Sequence, residues 1–395
     1  MAEHKQYKDL QTRVLQTHSK HGEPLYAHTF PIFQTSTYLF EDTTMGADLF
    51  SGKREGHMYS RMGNPTTEYF EQLVCELEGG AGTAAFGAGM GAIHASTVGL
   101  LKAGDHMISG DTLYGCSIEL FGERLKHMGI EVTFVNTGDK NEVAKAWKEN
   151  TKLVYLESPA NPTGKVSDIR GIAEYAHERG ALMVVDCTFT TPIFIQGLKL
   201  GADVVVHSIT KYINGHGDVV GGVATAKTAE LINKIKGFRK DTGSLMAPMD
   251  AFLCVRGIKT LPMRMERHMQ NGLKVAEFLE KHEKIVKVNH PGLPSFEGYE
   301  LAKSQQSGYG ATFSFIMKSF EAAKTLMEKV KLCSLAVSLG TLDTLIEHPA
   351  SMTHAAVPED LLKQQGLTRE LVRISVGLEN ADDIIEDLRQ ALEQC

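Results

Sequence analysis

The sequence predicts an α/β protein: a mostly parallel sheet with helices on both faces, followed by a smaller C-terminal α/β domain. Three observations carry this expectation. From about Thr66 to Ala226, short β-rich runs alternate with helical stretches, which calls for crossover connections between strands. Several runs, such as Leu153–Leu156 and Val204–Val206, are apolar at successive positions, as strands covered on both faces need to be. Beyond about Met246 the texture changes, first to helical patterns and then to further β-rich runs.

Taken in order, residues 1–62 lack a repeating pattern and leave room for an extended arm over a neighbouring subunit. Over 63–260, strands are expected at Thr83–Phe86, His106–Ser109, Val132–Val135, Leu153–Leu156, Leu182–Val185 and Val204–Val206. Among the intervening helices is Asp168–Arg179, where Ile169, Ile172, Ala173 and Ala176 share one face. Helical patterns run on through Lys281, so they cross into the third segment, 261–395. There KIVKVNHPG, GATFSFIM, LCSLAV and LVRISVGL read as strands, and an amphipathic helix over Ala381–Leu392 closes the chain.

Composition bounds the function. A chain of 395 residues suggests roughly two or three domains. It is 42% hydrophobic and 23% charged, which is ordinary for a folded soluble protein. Its formal net charge of −7 argues against a nucleic-acid partner, whose phosphates need a basic face. The opening MAEHKQYKDLQTRVLQTH has no apolar core, so no secretory signal is expected. No run approaches the roughly 20 apolar residues that span a bilayer, so no membrane partner is expected. The six cysteines are scattered without a C-x-x-C pair, which fits free thiols in a reducing, cytoplasmic setting.

Four segments at strand ends could carry chemistry. Lys211, in SITKY, directly follows an apolar strand, where ligands of open parallel sheets sit. A desolvated lysine there can condense with a carbonyl; a plain surface lysine is the alternative. Asp186 ends the run LMVVD and could hold a cation or serve as a turn residue. The stretch FGAGMGAIHAS places glycines between a strand and a helix, a site for phosphate, yet it matches neither the dinucleotide fingerprint nor a P-loop. Tyr114 follows the strand HMISG and could stack on a planar ligand or pack half-buried. Together these four match what pyridoxal phosphate requires: an aldehyde-capturing lysine, a carboxylate for the ring nitrogen, a stacking ring and a phosphate turn.

At this point the chain resembles the cysteine/methionine-metabolism, or trans-sulfuration, family of pyridoxal-phosphate enzymes over essentially its whole length. The motifs are YSRMGNPT at Tyr59–Thr66, ESPANPTG at Glu157–Gly164, HSITKYINGHGDVVGG at His207–Gly222 and HPASMTH at His348–His354. The resemblance implies the aspartate-aminotransferase-like fold (fold type I), with a seven-stranded-type sheet in a cofactor-binding domain over 63–260. It implies Lys211 as the Schiff-base lysine, Asp186 as the pyridinium partner, and Tyr114 as the stacking residue and acid. It puts the backbone of Gly89 and Met90, with Ser208 and Thr210, on the phosphate. Tyr59 and Arg61 would reach that phosphate from a neighbouring subunit, in a homotetramer built as a dimer of dimers. Arg373 would bind the substrate carboxylate as a planar fork, with Asn161 and Ser338 nearby.

Two positions narrow the substrate. In the methionine-cleaving branch the residue two after the stacking tyrosine is a cysteine, as Cys116 is. Relatives that cleave cystathionine usually carry glutamate where this chain has Val337, and an apolar valine suits a methyl thioether. The implied reaction is α,γ-elimination of L-methionine to methanethiol, 2-oxobutanoate and ammonia. Cleavage of cystathionine and sulfhydrylation of O-acetylhomoserine are the alternatives. Tyr114 would act as proton donor if neighbouring cations such as Arg61 poise a phenol whose free pKa is near ~10.

Two departures stand out. Cys187 replaces the usual asparagine and brings a second thiol towards the ring site. Arg239-Lys240-Asp241-Thr242 reads as shifted by one residue, which leaves Lys240 and Asp241 without an assigned contact. A metal site built from Asp186, Cys187, His207, His216 and Asp218 matches no metal-binding spacing, so no metal is expected. A non-catalytic regulator that keeps the fold is the other rival, though every candidate residue is present.

Overall fold

The protein is described by a computed structural model covering residues 9–15, 27–355, 362 and 366–395. Residues 1–8 and 16–26 of the expected arm therefore lie outside the described residues. The first sheet contains β1 (Gly82–Phe86), β2 (His106–Gly110), β3 (Glu131–Val135), β4 (Thr151–Glu157), β5 (Leu182–Asp186), β6 (Val204–Ser208) and β7 (Gly222–Ala226). Their spatial order is β1-β7-β6-β5-β4-β2-β3. All six expected strands are present. The seventh, β7, was not expected, because GVATA has small residues and no bulky apolar run. It also runs opposite to the other strands of this sheet, pairing antiparallel with both β1 and β6. The reason is its connection: residues 209–221 return from β6 without a crossover helix, so the chain must reverse direction.

Local chemistry explains the helices that flank this sheet. Helix Pro65–Glu78 starts with Asn64 accepting from the Thr66 amide and Pro65 in the first turn, and it stops at Gly79, where φ is 73°. Helix Ile169–His177 is capped by Asp168, and the four apolar residues expected to share a face are the four it buries.

The second sheet holds β8 (Ile285–Asn289), β9 (Thr312–Met317), β10 (Ser334–Leu335), β11 (Leu345–Glu347) and β12 (Leu371–Ser375). The order is β10-β11-β12-β9-β8, antiparallel except for β10 with β11. Its core joins Phe313, Phe315 and Ile374 to Val275 of helix Leu261–Glu280 and Leu388 of helix Ala381–Leu392. The last helix has the expected bounds. The short strand β11 was not expected. Its register with β12 sets Glu347 opposite Arg373. No helix among the described residues is long and apolar enough to cross a membrane.

One buried ionic cluster braces the start of the glycine turn. Glu71 accepts from the Ala85 amide at 2.9 Å, from Lys236 Nζ at 2.7 Å, and from Arg239. Arg239 also donates to the Ala85 carbonyl at 2.8 Å. Arg239 is thus a buried structural residue behind β1. Removing one member strands the other charges. Glu71→Ala is expected to cost about 3–5 kcal/mol, read as a lowered midpoint in thermal denaturation.

Candidate active site

A cavity of about 240 Å³ opens beyond the carboxyl ends of β4, β5 and β6, where Glu157, Asp186 and Ser208 end their strands. Gly89 and Met90 line one side, at the start of helix Gly89–Thr97. The turn there is tight. A Cβ on Gly89 would lie 3.0 Å from the Ser208 side chain, and one on Gly222 would lie 2.5 Å from the Ala88 carbonyl oxygen. Only glycine lets these backbones approach, and the first amides of the helix are left for an anion. Thr210 also lines the cavity, and its hydroxyl accepts from the Gly221 amide at 3.0 Å.

Lys211 reaches the cavity from the loop after β6. Burial, aided by the positive Arg373, lowers its pKa to about 8. Its amine donates to Ser338 Oγ at 2.9 Å. Ser338 adopts φ 105°, a conformation that costs a residue with a side chain about 1–3 kcal/mol. This geometry lets one residue serve two partners, since its carbonyl accepts from Arg373 Nη2 at 2.7 Å. Arg373, buried in β12, also donates from Nη1 to Asn161 Oδ1 at 3.2 Å and is ion-paired to Glu347 Oε1 at 2.8 Å.

Asp186 is buried at the cavity wall, and burial raises its pKa. Its Oδ1 accepts from the Thr188 amide at 2.8 Å, and the Thr188 hydroxyl in turn accepts from the Ser208 amide at 2.8 Å. Glu157 lies beside Asp186 in register. Its Oε1 accepts from the Tyr114 amide at 2.9 Å and its Oε2 from the Asn161 amide at 3.3 Å. Burial and the neighbouring Asp186 raise its pKa to about 8. Sequence reasoning missed Thr188, Glu157 and Glu347 as part of this site. Glu157 stood in view, as the first residue of the ESPANPTG motif.

Tyr114 caps helix Gly115–Glu119 at the mouth of the cavity. Its pKa is pushed up to about 12, first by its hydrogen bond with Cys116 and then by burial, while Arg373 opposes the rise. The phenol is therefore held protonated within this chain. Arg61 does not relieve it here: its guanidinium donates to the Lys240 carbonyl at 2.8 Å. Tyr59 and Arg61 are exposed and do not line this cavity. Lys240 and Asp241 pair with each other at the surface, at 3.4 Å.

One expectation is corrected. Cys187 does not bring a thiol to the ring site. It is fully buried in a core cluster with Ile195, Leu198 and Val205, and burial pushes its pKa well up. Side chains alternate across a strand, so a residue next to the cavity-facing Asp186 points the other way. The residues of the metal rival are separately engaged. His207 pairs with buried Glu78, the His216 ring with the Asn214 carbonyl, and Asp218 with the Asn214 amide.

A lysine with a lowered pKa, a buried carboxylate, an aromatic cap and a glycine-lined helix start surround one cavity. Together they fit a molecule with an aldehyde, a cationic ring and a phosphate, as pyridoxal phosphate is. The family model for "Cys/Met metabolism PLP-dependent enzyme" matches residues 11–393. An L-methionine gamma-lyase of Fusobacterium nucleatum subsp. polymorphum is 49% identical, covering 92% of this chain and 93% of that one. A cystathionine gamma-lyase structure from Lactobacillus plantarum, complexed with L-serine, superposes with TM-score 0.93 at 36% identity, covering 98% of both chains. The structure of a putative O-acetylhomoserine (thiol)-lyase from Campylobacter jejuni, which carries a pyridoxyl-lysine phosphate, superposes with TM-score 0.93 at 32% identity over 98% of this chain and 100% of that one. With its cavity furnished for the cofactor and its length matched almost throughout, the chain belongs to the Cys/Met-metabolism family of pyridoxal-phosphate-dependent enzymes.

Proposed function

We propose that this chain catalyses the α,γ-elimination of L-methionine to methanethiol, 2-oxobutanoate and ammonia. The observation that carries the reading is Lys211, with its lowered pKa, joined through Ser338 to the carboxylate-binding candidate Arg373. Pyridoxal phosphate, when bound, supplies an electron sink for the charge left by a departing proton. Lys211 is the base that removes the Cα proton. Asp186 holds the ring-nitrogen proton. Arg373 and Asn161 fix the substrate carboxylate, and the Gly89 and Met90 amides with Ser208 and Thr210 hold the phosphate. Tyr114, protonated in this chain, is the donor to the leaving thiolate once a neighbour's Arg61 and the cofactor's charge bring its raised pKa down towards the working range.

Cys116 supports methionine as the substrate, since its thiol acts on the pKa of the proton donor Tyr114. Val337, 56% exposed within this chain beside Ser338, offers an apolar rather than a charged neighbour. Cys116→Gly is expected to lower kcat/KM for methionine about tenfold while cystathionine turnover changes less, a size typical of one lost contact to a reacting group. Equal changes for both substrates would remove Cys116 as a specificity residue.

The substrate panel that tests the function is methionine, homocysteine, cystathionine, cysteine and O-acetylhomoserine, followed by release of 2-oxo acid and thiol. Methionine is expected to show the highest kcat/KM. A higher value for cystathionine would favour the second reading, which the likeness to a cystathionine gamma-lyase structure supports.

The assembly belongs to the same proposal. Tyr59 and Arg61 complete a neighbour's phosphate site in a cytoplasmic homotetramer, with 1–62 as arm, 63–260 as cofactor domain and 261–395 as C-terminal domain. The exposed Leu39 and Phe50 in that arm support a covered surface. A fully active monomer in sedimentation would sink this arrangement.

A further inference from the structure

Arg373 carries a feature that carboxylate binding does not need. Its guanidinium is already paired with a carboxylate. Antiparallel pairing of β11 and β12 puts Glu347 directly opposite Arg373. Their side chains meet at 2.8 Å, with 1% and 3% exposure. The Thr353 hydroxyl donates to the same Glu347 oxygen at 3.2 Å and ties it to the loop after β11. Oε2 of Glu347 is buried without a protein partner. The other partners of Arg373, Asn161 Oδ1 and the Ser338 carbonyl, are uncharged.

A buried guanidinium left alone is costly, and so is a buried carboxylate, so each stabilises the other. An incoming substrate carboxylate therefore meets a cation that is already neutralised. It must share Arg373 with Glu347 or displace it. We propose that Glu347 is a positioning residue, the standing counter-ion of Arg373, and that it weakens the grip of the site on substrate carboxylates. The benefit is turnover: a site that grips the carboxylate less tightly in the ground state leaves more binding free energy for the transition state. Loss of the Glu347 charge also leaves Lys211 facing an unopposed Arg373, as Glu347 counters the effect of Arg373 on that amine.

This inference rests on the reading of Arg373 as the carboxylate site, and the test separates the two. The probe is propionate, an unreactive monocarboxylate, titrated against holoenzyme and followed by the absorbance of the bound cofactor. Glu347→Gln keeps the shape and removes the charge, and is expected to bind propionate about tenfold more tightly, the scale of one lost ion-pair partner. Glu347→Asp draws the carboxylate back by one methylene and is expected to fall between parent and Glu347→Gln. The KM for methionine should follow the same order, a split that a purely structural role would not produce. Parent-like propionate affinity in Glu347→Gln overturns the proposal. If that variant fails to fold, parent-like affinity in Glu347→Asp overturns it instead. Arg373→Ala is expected to abolish the propionate response. If Arg373→Ala binds propionate like the parent, the reading of Arg373 fails, and the inference fails with it. If Arg373→Ala loses binding while Glu347→Gln stays parent-like, the inference alone fails.

Discussion

Lys211→Ala is expected to abolish the visible absorbance of the lysine-linked cofactor and to reduce 2-oxo acid release by about 10⁴-fold or more, since one residue serves as both covalent tether and base. The substitution removes a largely buried amine that donates a hydrogen bond to Ser338 Oγ. Loss of activity should not come from unfolding, because no core contact depends on the amine. The same residue yields a pH test. Burial lowers its pKa to about 8, and attack on the cofactor aldehyde needs the neutral amine. A lowered lysine pKa means that the neutral form dominates above about 8 and is lost as pH falls below it. The rate at which apoenzyme takes up pyridoxal phosphate should therefore rise with pH up to about 8 and then level. A flat rate across that range, or surviving absorbance in Lys211→Ala, would refute the assignment.

Asp186→Asn is the second substitution with a large expected effect. The amide keeps the size of the carboxylate but cannot hold a proton on a ring nitrogen by charge. Removing one member of a buried ion pair costs about 3–5 kcal/mol, so kcat should fall by about 10²–10⁴-fold, and cofactor should be lost more readily on dialysis. Asp186 is well placed to be sensitive. It is buried, its carboxyl is pushed up by burial, and Glu157 adjoins it on the next strand. A bound cation relieves the mutual repulsion of the two acids. Asp186→Asn holoenzyme that keeps both its cofactor and its turnover would remove Asp186 from the ring-nitrogen role.

Legibility in the sequence followed the range of the interaction. The strands of the large sheet were readable because apolar runs and amphipathic helices are local patterns, as Leu153–Leu156 and Ile169–His177 illustrate. The cavity residues Gly89, Asp186 and Lys211 were readable because ends of parallel strands converge at one edge of a sheet. Strand β7 was not, since GVATA signals neither strand nor direction. Arg239 was not either, since its partner Glu71 lies far away in the chain and the two meet only when helix Ala229–Thr242 packs behind β1. Cys187 marks a different failure. Its neighbour faces the cavity, and the strand's two-residue alternation sends its own thiol into the core.

By itself the sequence determined the α/β class, the lysine, carboxylate and glycine turn that a phosphate-bearing aldehyde cofactor needs, and the family motifs. Each is written in a short stretch of chain whose local geometry is nearly context-free. Only the tertiary structure decided which charges face one another. Glu157 clamps the segments of Tyr114 and Asn161, Ser338 bridges Lys211 and Arg373, and Glu347 neutralises Arg373. Those pairings depend on strand register and on packing between segments distant in sequence. No local pattern encodes them, because a side chain's field and burial are properties of what folds against it.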